Sequence, residues 1–296
     1  MIYIMSSSPN LGNVSTSNFS PVPKTKGMFD GTKDFMESNS IIAKVAFLFL
    51  VLIVFILLLR LGISIISYFM RPTSDPVLLD GMADASQMMV IPQNPAVPHA
   101  VPILRSVNQE DGIEFTWSVW TYIKNLSPDN LFKHVFHKGN DQINPENGMN
   151  NPNNAPGLYI TPNTNNFVII MNTFKNIREE IIVEDIPLNK WVNIIIRVEN
   201  HNLDVYINGT IVKRHILNSV PKQNYGDVYV TMNGGFNGYT SSLRYWNSAL
   251  NIRQIQNVID KGPNLEMKEK SMIQSEPRYF SLRWFFQNPQ MDYGGL

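Results

Sequence analysis

The chain has 296 residues, with 24 Lys+Arg against 24 Asp+Glu and no net charge. A balanced charge supplies no field for a nucleic-acid partner, and a Cys count of 0 excludes disulfides, thiolate metal sites and cysteine nucleophiles together. The lack of disulfides favours a reducing compartment, or a lineage that does not rely on them.

Residues 1–40 are rich in Ser, Asn, Pro and Gly and show no sustained apolar period, so a disordered N-terminal arm is expected. Val45–Leu59 (VAFLFLVLIVFILLL) then carries no polar side chain. Such a run covers only about 22 Å of a bilayer core about 30 Å thick. The span must take in its neighbours, Ile41 to Leu61, with Lys44 and Arg60 reaching back to the two interfaces on their alkyl stems. Ile63–Met70 carries the helix through the interface, a depth that suits Tyr68, and Pro72 ends it.

Residues 41–70 are thus expected to form a transmembrane helix in a lipid bilayer. A soluble core helix would need a polar face, and none is present. A cleaved signal peptide would begin earlier and end in a small-x-small site, so the segment reads as an uncleaved, single-pass signal-anchor. Lys24, Lys26, Lys33 and Lys44 outweigh Arg71 across the span, which places the N-terminus in the cytoplasm.

Residues 71–112 hold Pro72, Pro76, Pro92, Pro95, Pro98 and Pro102, which favour an extended tether. Met88–Pro92 and Val101–Ser106 are apolar enough to be first edge strands.

From Ile113 onward the pattern is strand after strand. Ile113–Ile123 puts Ile113, Phe115, Trp117, Val119 and Ile123 on one face, with Glu114, Thr116, Ser118, Trp120 and Tyr122 on the other. Lys133–Gly139, Gly157–Ile160, Asn166–Thr173 and Glu179–Glu184 follow. The polar loop between Gly139 and Pro156 is long enough to be mobile or to bind something. Trp191–Glu199, then NLDVYI, Asn208-Gly209 and TIVKRHI, form the clearest signal. Asn-Gly between β-branched runs is a type I′ hairpin marker. Val228–Met232 and Gly238–Asn247 complete the set. A short helix is expected at Ile252–Asp260, capped by Asn251, boxed by Gln254 and stopped by Gly262-Pro263. The class is all-β: an antiparallel two-sheet sandwich over 113–262, preceded by one transmembrane α-helix. The tail, 263–296, contains Tyr279–Phe286 (YFSLRWFF), expected as a last strand or clasp, or as a docking segment for a partner or the membrane interface.

The set FTWSVW (Phe115–Trp120), Gly157-Leu158-Tyr159, LNKWVNIIIRV (Leu188–Val198), LDVYING (Leu203–Gly209) and FNGYTSSLRYWNSAL (Phe236–Leu250) resembles, in order and spacing, the laminin G-like, concanavalin A-type lectin/glucanase jelly rolls. The resemblance implies two antiparallel sheets packed face to face, one of them concave. Ser241 and Ser242 stand where that pattern has an acidic residue, so no acidic or calcium role is carried over there. An anchor followed by such a domain also resembles membrane proteins of large DNA viruses in architecture and composition, which implies a virion membrane as an alternative location.

Relatives that cleave polysaccharides use Glu-x-Asp-x-Glu on one strand. The nearest match pairs Glu180 with Glu184 around Ile182, while Glu179 and Asp185 point the other way. This reads as an exposed polar face, and no enzyme is expected. His134 and His137, three apart in a strand, are expected on opposite faces and so cannot share a metal. No cofactor is expected beyond calcium, through the oxygen-rich loops at Asp141, Asn144, Asn147, Asp227 and Asn233. Asn125-Leu-Ser127 and Asn208-Gly-Thr210 match the glycosylation acceptor pattern, as do Asn13 and Asn18 on the cytoplasmic side. The functional expectation is a membrane-anchored binding or adhesion module for glycan or protein. The alternatives are a structural virion or envelope protein and a glycoside hydrolase.

Overall fold

The structure is a computed structural model that describes residues 41–69, 72–97, 99–110 and 112–268. It falls into two compact units that divide after Tyr68. The first holds helix α1, Ile41–Phe69, whose 29 residues contain no buried side chain. At about 1.5 Å per residue it is about 43 Å long, more than a bilayer core requires. The helix is apolar all round and none of its side chains is buried among the described residues, which fits a membrane-spanning segment by length and composition. Lys44 lies in its first turns. Arg60 lies well inside, with Leu61–Phe69 continuing beyond it.

The second unit is a sandwich of two antiparallel sheets. Its strands are β1 Met82–Asp84, β2 Met89–Ile91, β3 Val107–Gln109, β4 Gly112–Asn125, β5 Lys133–Gly139, β6 Gly157–Ile160 and β7 Phe167–Met171. They continue as β8 Glu179–Val183, β9 Trp191–Asn200, β10 Asn202–Ile207, β11 Thr210–Ile216, β12 Asp227–Val230 and β13 Asn237–Trp246. One sheet runs β1-β13-β4-β9-β10-β11, with β3 also on β4; the other runs β2-β12-β5-β6-β7-β8. The jelly-roll reading of the sequence holds. Two details differ. Val101–Ser106 is not a strand, and the pairing falls instead on Val107–Gln109. Strand β1 is only Met-Ala-Asp, too short to show an alternation.

The core lies between the sheets. Trp117 of β4 stacks on Phe136 of the opposite sheet (centroids 5.2 Å) and meets Tyr245 of β13 edge-on (5.0 Å). Leu78, Leu79, Ala83, Met89 and Ile91 belong to the same buried cluster, so chain well before Ile113 helps to close the sandwich. The first residues of the tail return to β1: Met82 N–H donates to Glu266 O, and Lys268 N–H donates to Met82 O. Tyr279–Phe286 lies outside the described residues.

Each sheet also covers its outer face. Helix α2, Ile252–Lys261, has Asn251 and Gln254 in a reciprocal capping box, and Gly262 follows at φ 67°. It brings Ile255 onto Ile195 of the first sheet and Leu250 of the segment between β13 and α2. The Asn208-Gly209 turn has φ 49° and 82°, the positive pair that a type I′ hairpin requires. Its glycine sits against Ile259 of α2.

On the other sheet, the long polar loop after β5 is fixed. Asn150 and Asn154 hydrogen-bond around the buried Tyr159 hydroxyl, which donates to Asn154 Oδ1, and Met149 joins Tyr159, Val168 and Ile170. The asparagines that suggested mobility instead satisfy one another and the backbone. Asn140 Oδ1 alone accepts from Asn150 Nδ2 and Asn153 N.

The histidines correct the sequence reading. A register shift between His134 and Phe136 inserts one residue, so Val135 and Phe136 both enter the core. His134 and His137 therefore share the outer face, with Nε2 and Nδ1 only 2.6 Å apart. Met232 N–H donates to His134 Nδ1, which leaves His134 Nε2–H to donate to His137 Nδ1 and His137 Nε2–H to donate to the Asn140 carbonyl. Every ring nitrogen is used, and both rings are neutral in this relay. Burial pushes His137 down to about 4. His134 is held well below its ordinary 6.5 by burial and by the neighbouring His137.

Two outcomes are expected. Trp117→Ala removes the group that joins both sheets and should cost about 3–5 kcal/mol, read from urea unfolding followed by far-UV circular dichroism. The second outcome concerns acid. Below pH 6.5 the unfolded chain takes up protons that the folded pair refuses, His137 until about pH 4 and His134 until well below its ordinary range. Stability is therefore complete above pH 6.5 and falls as the pH drops, by up to about 1.4 kcal/mol per pH unit for each ring. The urea midpoint should be lower at pH 5 than at pH 7; equal midpoints would rule out a neutral pair.

Candidate functional site

The sandwich carries a cleft of about 610 Å³ lined from both sheets and the loops beside β12. Its walls are built by a few side chains that staple loops. Gln93 donates from its backbone to Asp227 Oδ1 (2.8 Å) and from Nε2 to the Ile91 and Val101 carbonyls, and its Oε1 accepts from Ile103 N–H. One glutamine thus closes the proline-rich segment after β2 into a wall. Opposite it, Gln223 Oε1 accepts from Ser106 N–H, and Asn224 Nδ2 donates to Lys138 O. The Phe174 and Val220 backbones are joined by a hydrogen bond, so the loop after β7 and the loop before β12 move as one piece.

The floor depends on close backbone contact. A Cβ on Gly226 would lie 2.0 Å from Gly139 O, so only glycine lets the two loops meet. Beside it lies Lys138, 8% exposed, whose Nζ donates to Gly226 O (2.5 Å). Burial lowers this ammonium to about 8, partly offset by the charge of Asp227. Arg105 and Lys222 add two more cations to the lining, and Lys222 Nζ lies over the Phe174 ring at 5.3 Å. Phe174 is 68% exposed and Tyr225 86%. Among the described residues of the sandwich they are the only exposed large aromatic side chains, and both line this cleft. The arrangement offers ring faces, three cations and one carboxylate, Asp227.

A second cavity of about 400 Å³ lies at Asp84, Lys124, Lys133 and the Gly234–Gly238 turn. Asn125, one expected glycosylation acceptor, is exposed on its lining. The other, Asn208, is exposed at the hairpin tip, and its Oδ1 accepts from Asn193 N–H (2.9 Å).

The calcium candidates are only partly brought together. Asp141 and Asp227 both act electrostatically on the Tyr229 hydroxyl, whereas Asn233 follows the far end of β12. Asn144 and Asn147 spend their Oδ1 atoms on the backbone of Glu146 and Met149. Among the described residues no group of three or more His, Asp or Glu side chains is placed to hold a metal.

On β8, Glu180 and Ile182 are exposed while Glu179 is buried, accepting from Asn218 N–H and contacting His215 Nε2 at 2.9 Å. Glu180 pairs with Arg178. The β8 carboxylates thus form no paired acid and nucleophile.

Lys138, Phe174, Tyr225 and Gln93 were not singled out from the sequence. Phe174 and Tyr225 did leave a trace, as isolated aromatics inside Asn- and Lys-rich loops.

A family model described as the concanavalin A-like lectin/glucanases superfamily, of laminin G type, matches residues 100–256, over half of the chain. The chain belongs to this family. No match was found among curated proteins. Solved structures similar to it include the receptor binding domain of botulinum neurotoxin D (15% identity, TM-score 0.44, 64% of this chain and 44% of that chain). The serotype G binding domain (15%, 0.39, 50% and 36%) and the neurotoxin DC binding domain in complex with rat synaptotagmin II (15%, 0.39, 50% and 35%) are also similar. The chain spans less than half the length of each of these.

This lectin-type scaffold positions the cleft through Tyr245. Its hydroxyl donates to Leu104 O (3.1 Å) and accepts from Gln223 Nε2 (3.5 Å), and both partners line the cleft. Tyr245→Phe keeps the ring in the core but frees both walls. The expected loss is about 0.5–1.5 kcal/mol in urea unfolding, with faster hydrogen exchange confined to segments 101–106 and 220–226. Exchange unchanged there would show that the hydroxyl does not hold the walls.

Proposed function

We propose that this chain is a single-pass membrane-anchored binding protein that presents its concanavalin A-like sandwich for ligand recognition, with the cleft at Phe174 and Tyr225 as the binding site. The observation that carries this reading is the coincidence of the two exposed aromatics among the sandwich's described residues with a cleft of about 610 Å³. Exposed aromatic faces are costly in water and useful to a ligand with a flat apolar face and a polar rim. A sugar ring has that form. The cleft's volume falls within the roughly 300–1,000 Å³ of ligand pockets. A concave site of that kind favours a glycan over the broad face of a protein partner. Binding rather than hydrolysis is favoured by the β8 carboxylates, which are committed to Arg178, Asn218 and His215.

The anchor is helix α1, used uncleaved, with Lys44, Arg60 and Tyr68 at the interfaces. The lysines of the N-terminal arm support a cytoplasmic N-terminus, and the sandwich then lies on the other side of the membrane. Residues 71–112 serve in part as the tether.

Two measurements test this. In sealed vesicles with the cytoplasmic face outward, the sandwich should resist protease until detergent is added; digestion without detergent would reverse the orientation. On a glycan array probed with the full-length chain in detergent, binding should be seen and should weaken roughly tenfold or more in Tyr225→Ala. No binding to any glycan, with the variant indistinguishable from wild type, would sink the recognition role.

A further inference from the structure

Among the cleft's polar groups, Lys138 is the one whose position is hardest to explain by folding alone. It is more than nine-tenths buried, yet among the described residues its ammonium has a single acceptor, Gly226 O. An ammonium carries three N–H donors; Gly226 O takes one, and the other two are left to whatever occupies the cleft that Lys138 lines. The carboxylate that acts on its charge, Asp227, has one oxygen committed to Gln93 N–H. Arg105 and Lys222 face the same space. Three cations against one carboxylate leave the cleft with a surplus of positive charge, in a chain whose overall charge is zero. Local charge of that kind is matched by a ligand, not by the molecule as a whole.

The geometry points to an acidic saccharide as the ligand of this cleft, its anionic group received by Lys138 and its ring lying against Tyr225 or Phe174. This rests on the reading of the cleft as a glycan site and adds the ligand's charge. The division of labour is physical. The partly desolvated ammonium gives a charge-assisted hydrogen bond that strengthens in a low local dielectric. The aromatic faces supply contact area for any pyranose and so carry affinity without discrimination. Arg105, exposed on the wall, steers an anion towards the floor. Lys222 is held over Phe174, so its charge is placed beside the stacking surface.

The test is calorimetric titration of the full-length chain in zwitterionic detergent with four probes of matched length. They are an oligogalacturonate, a sulfated oligogalactose, the neutral oligogalactose and an oligoglutamate peptide. Either acidic saccharide should bind at least about tenfold tighter than the neutral one. Lys138→Met should lower the affinity for the acidic saccharide about 10- to 100-fold and that for the neutral one by a much smaller factor. Arg105→Gln, at an exposed position, should weaken the same probe by a smaller factor and leave the fold intact. This variant keeps the inference testable if Lys138→Met does not fold. Three results overturn the inference. In the first, neutral and acidic saccharides bind equally, are lost together in Tyr225→Ala and ignore Lys138→Met; the glycan site then stands and its charge preference falls. In the second, the peptide binds as well as the oligogalacturonate with the same Lys138 dependence, which removes the saccharide class. In the third, no saccharide binds at all, and both the inference and the glycan reading fall.

Discussion

The contact of Trp117 with Phe136 and Tyr245 is the constraint on which the sandwich and its cleft both depend. Trp117 sits on the central strand of one sheet, Phe136 on a central strand of the other, and Tyr245 on the neighbour of Trp117. Three large rings at this point fix the sheet separation. The consequence extends beyond the core because Tyr245 is amphipathic. Its ring belongs to the aromatic cluster and its hydroxyl to the cleft wall, through Leu104 and Gln223. Burial raises the pKa of that hydroxyl above its ordinary value, so it remains a donor at any physiological pH. A cleft wall made of loops is thereby referenced to the aromatic core of the sandwich.

The outer faces are covered by opposite chemistries. One sheet receives an amphipathic helix whose apolar side meets Ile195 and Leu250. The other receives an asparagine-rich loop whose side chains satisfy each other, the backbone and the Tyr159 hydroxyl. The second solution tolerates polar burial because most of its donors and acceptors are matched, Asn150 Oδ1 being an exception, and the histidine relay beneath it uses every ring nitrogen. This is why β5 can carry two neutral imidazoles into a closed environment. The relay ends at Asn140, the residue that also organises the loop through Asn150 and Asn153, so strand and loop are bonded into one unit.

Much of this was legible in the sequence where the signal is local. Period-two alternation located β4 and β8, whereas short apolar runs between turn residues located strands such as β6, β7 and β12, which are buried on both faces. Asn208-Gly209 and the Asn251/Gln254 box are read from chemistry that acts within a few residues. The errors arise where one residue changes the phase or where partners are distant. The bulge in β5 carries no composition signal, yet it turned His134 and His137 from opposite faces to the same one. Strand β1 is specified by β13 and by the returning chain at Glu266–Lys268, not by its own three residues. Lys138 reads as an ordinary strand lysine until Gly226 closes over it.

The edges of the sandwich make the exposed aromatics more telling. Strand β11 ends one sheet and β8 the other, and each shows apolar side chains to solvent: Ile211, Val212 and Ile216 on the first, Ile182 on the second. Both edges also carry charge where a further strand would pair. Lys213 and Arg214 stand at the middle of β11, with Arg214 tied to the buried Asp204, and Glu180 stands on β8 with Arg178 beside it. Charges on an edge strand oppose the addition of another copy. The chain thus guards the surfaces where exposed apolar groups would lead to aggregation. At the cleft it does the reverse, leaving Phe174 and Tyr225 open and surrounding them with cations that attract rather than repel. Selection for solubility alone would treat the three places alike; the cleft differs in keeping two exposed aromatic rings among three cations.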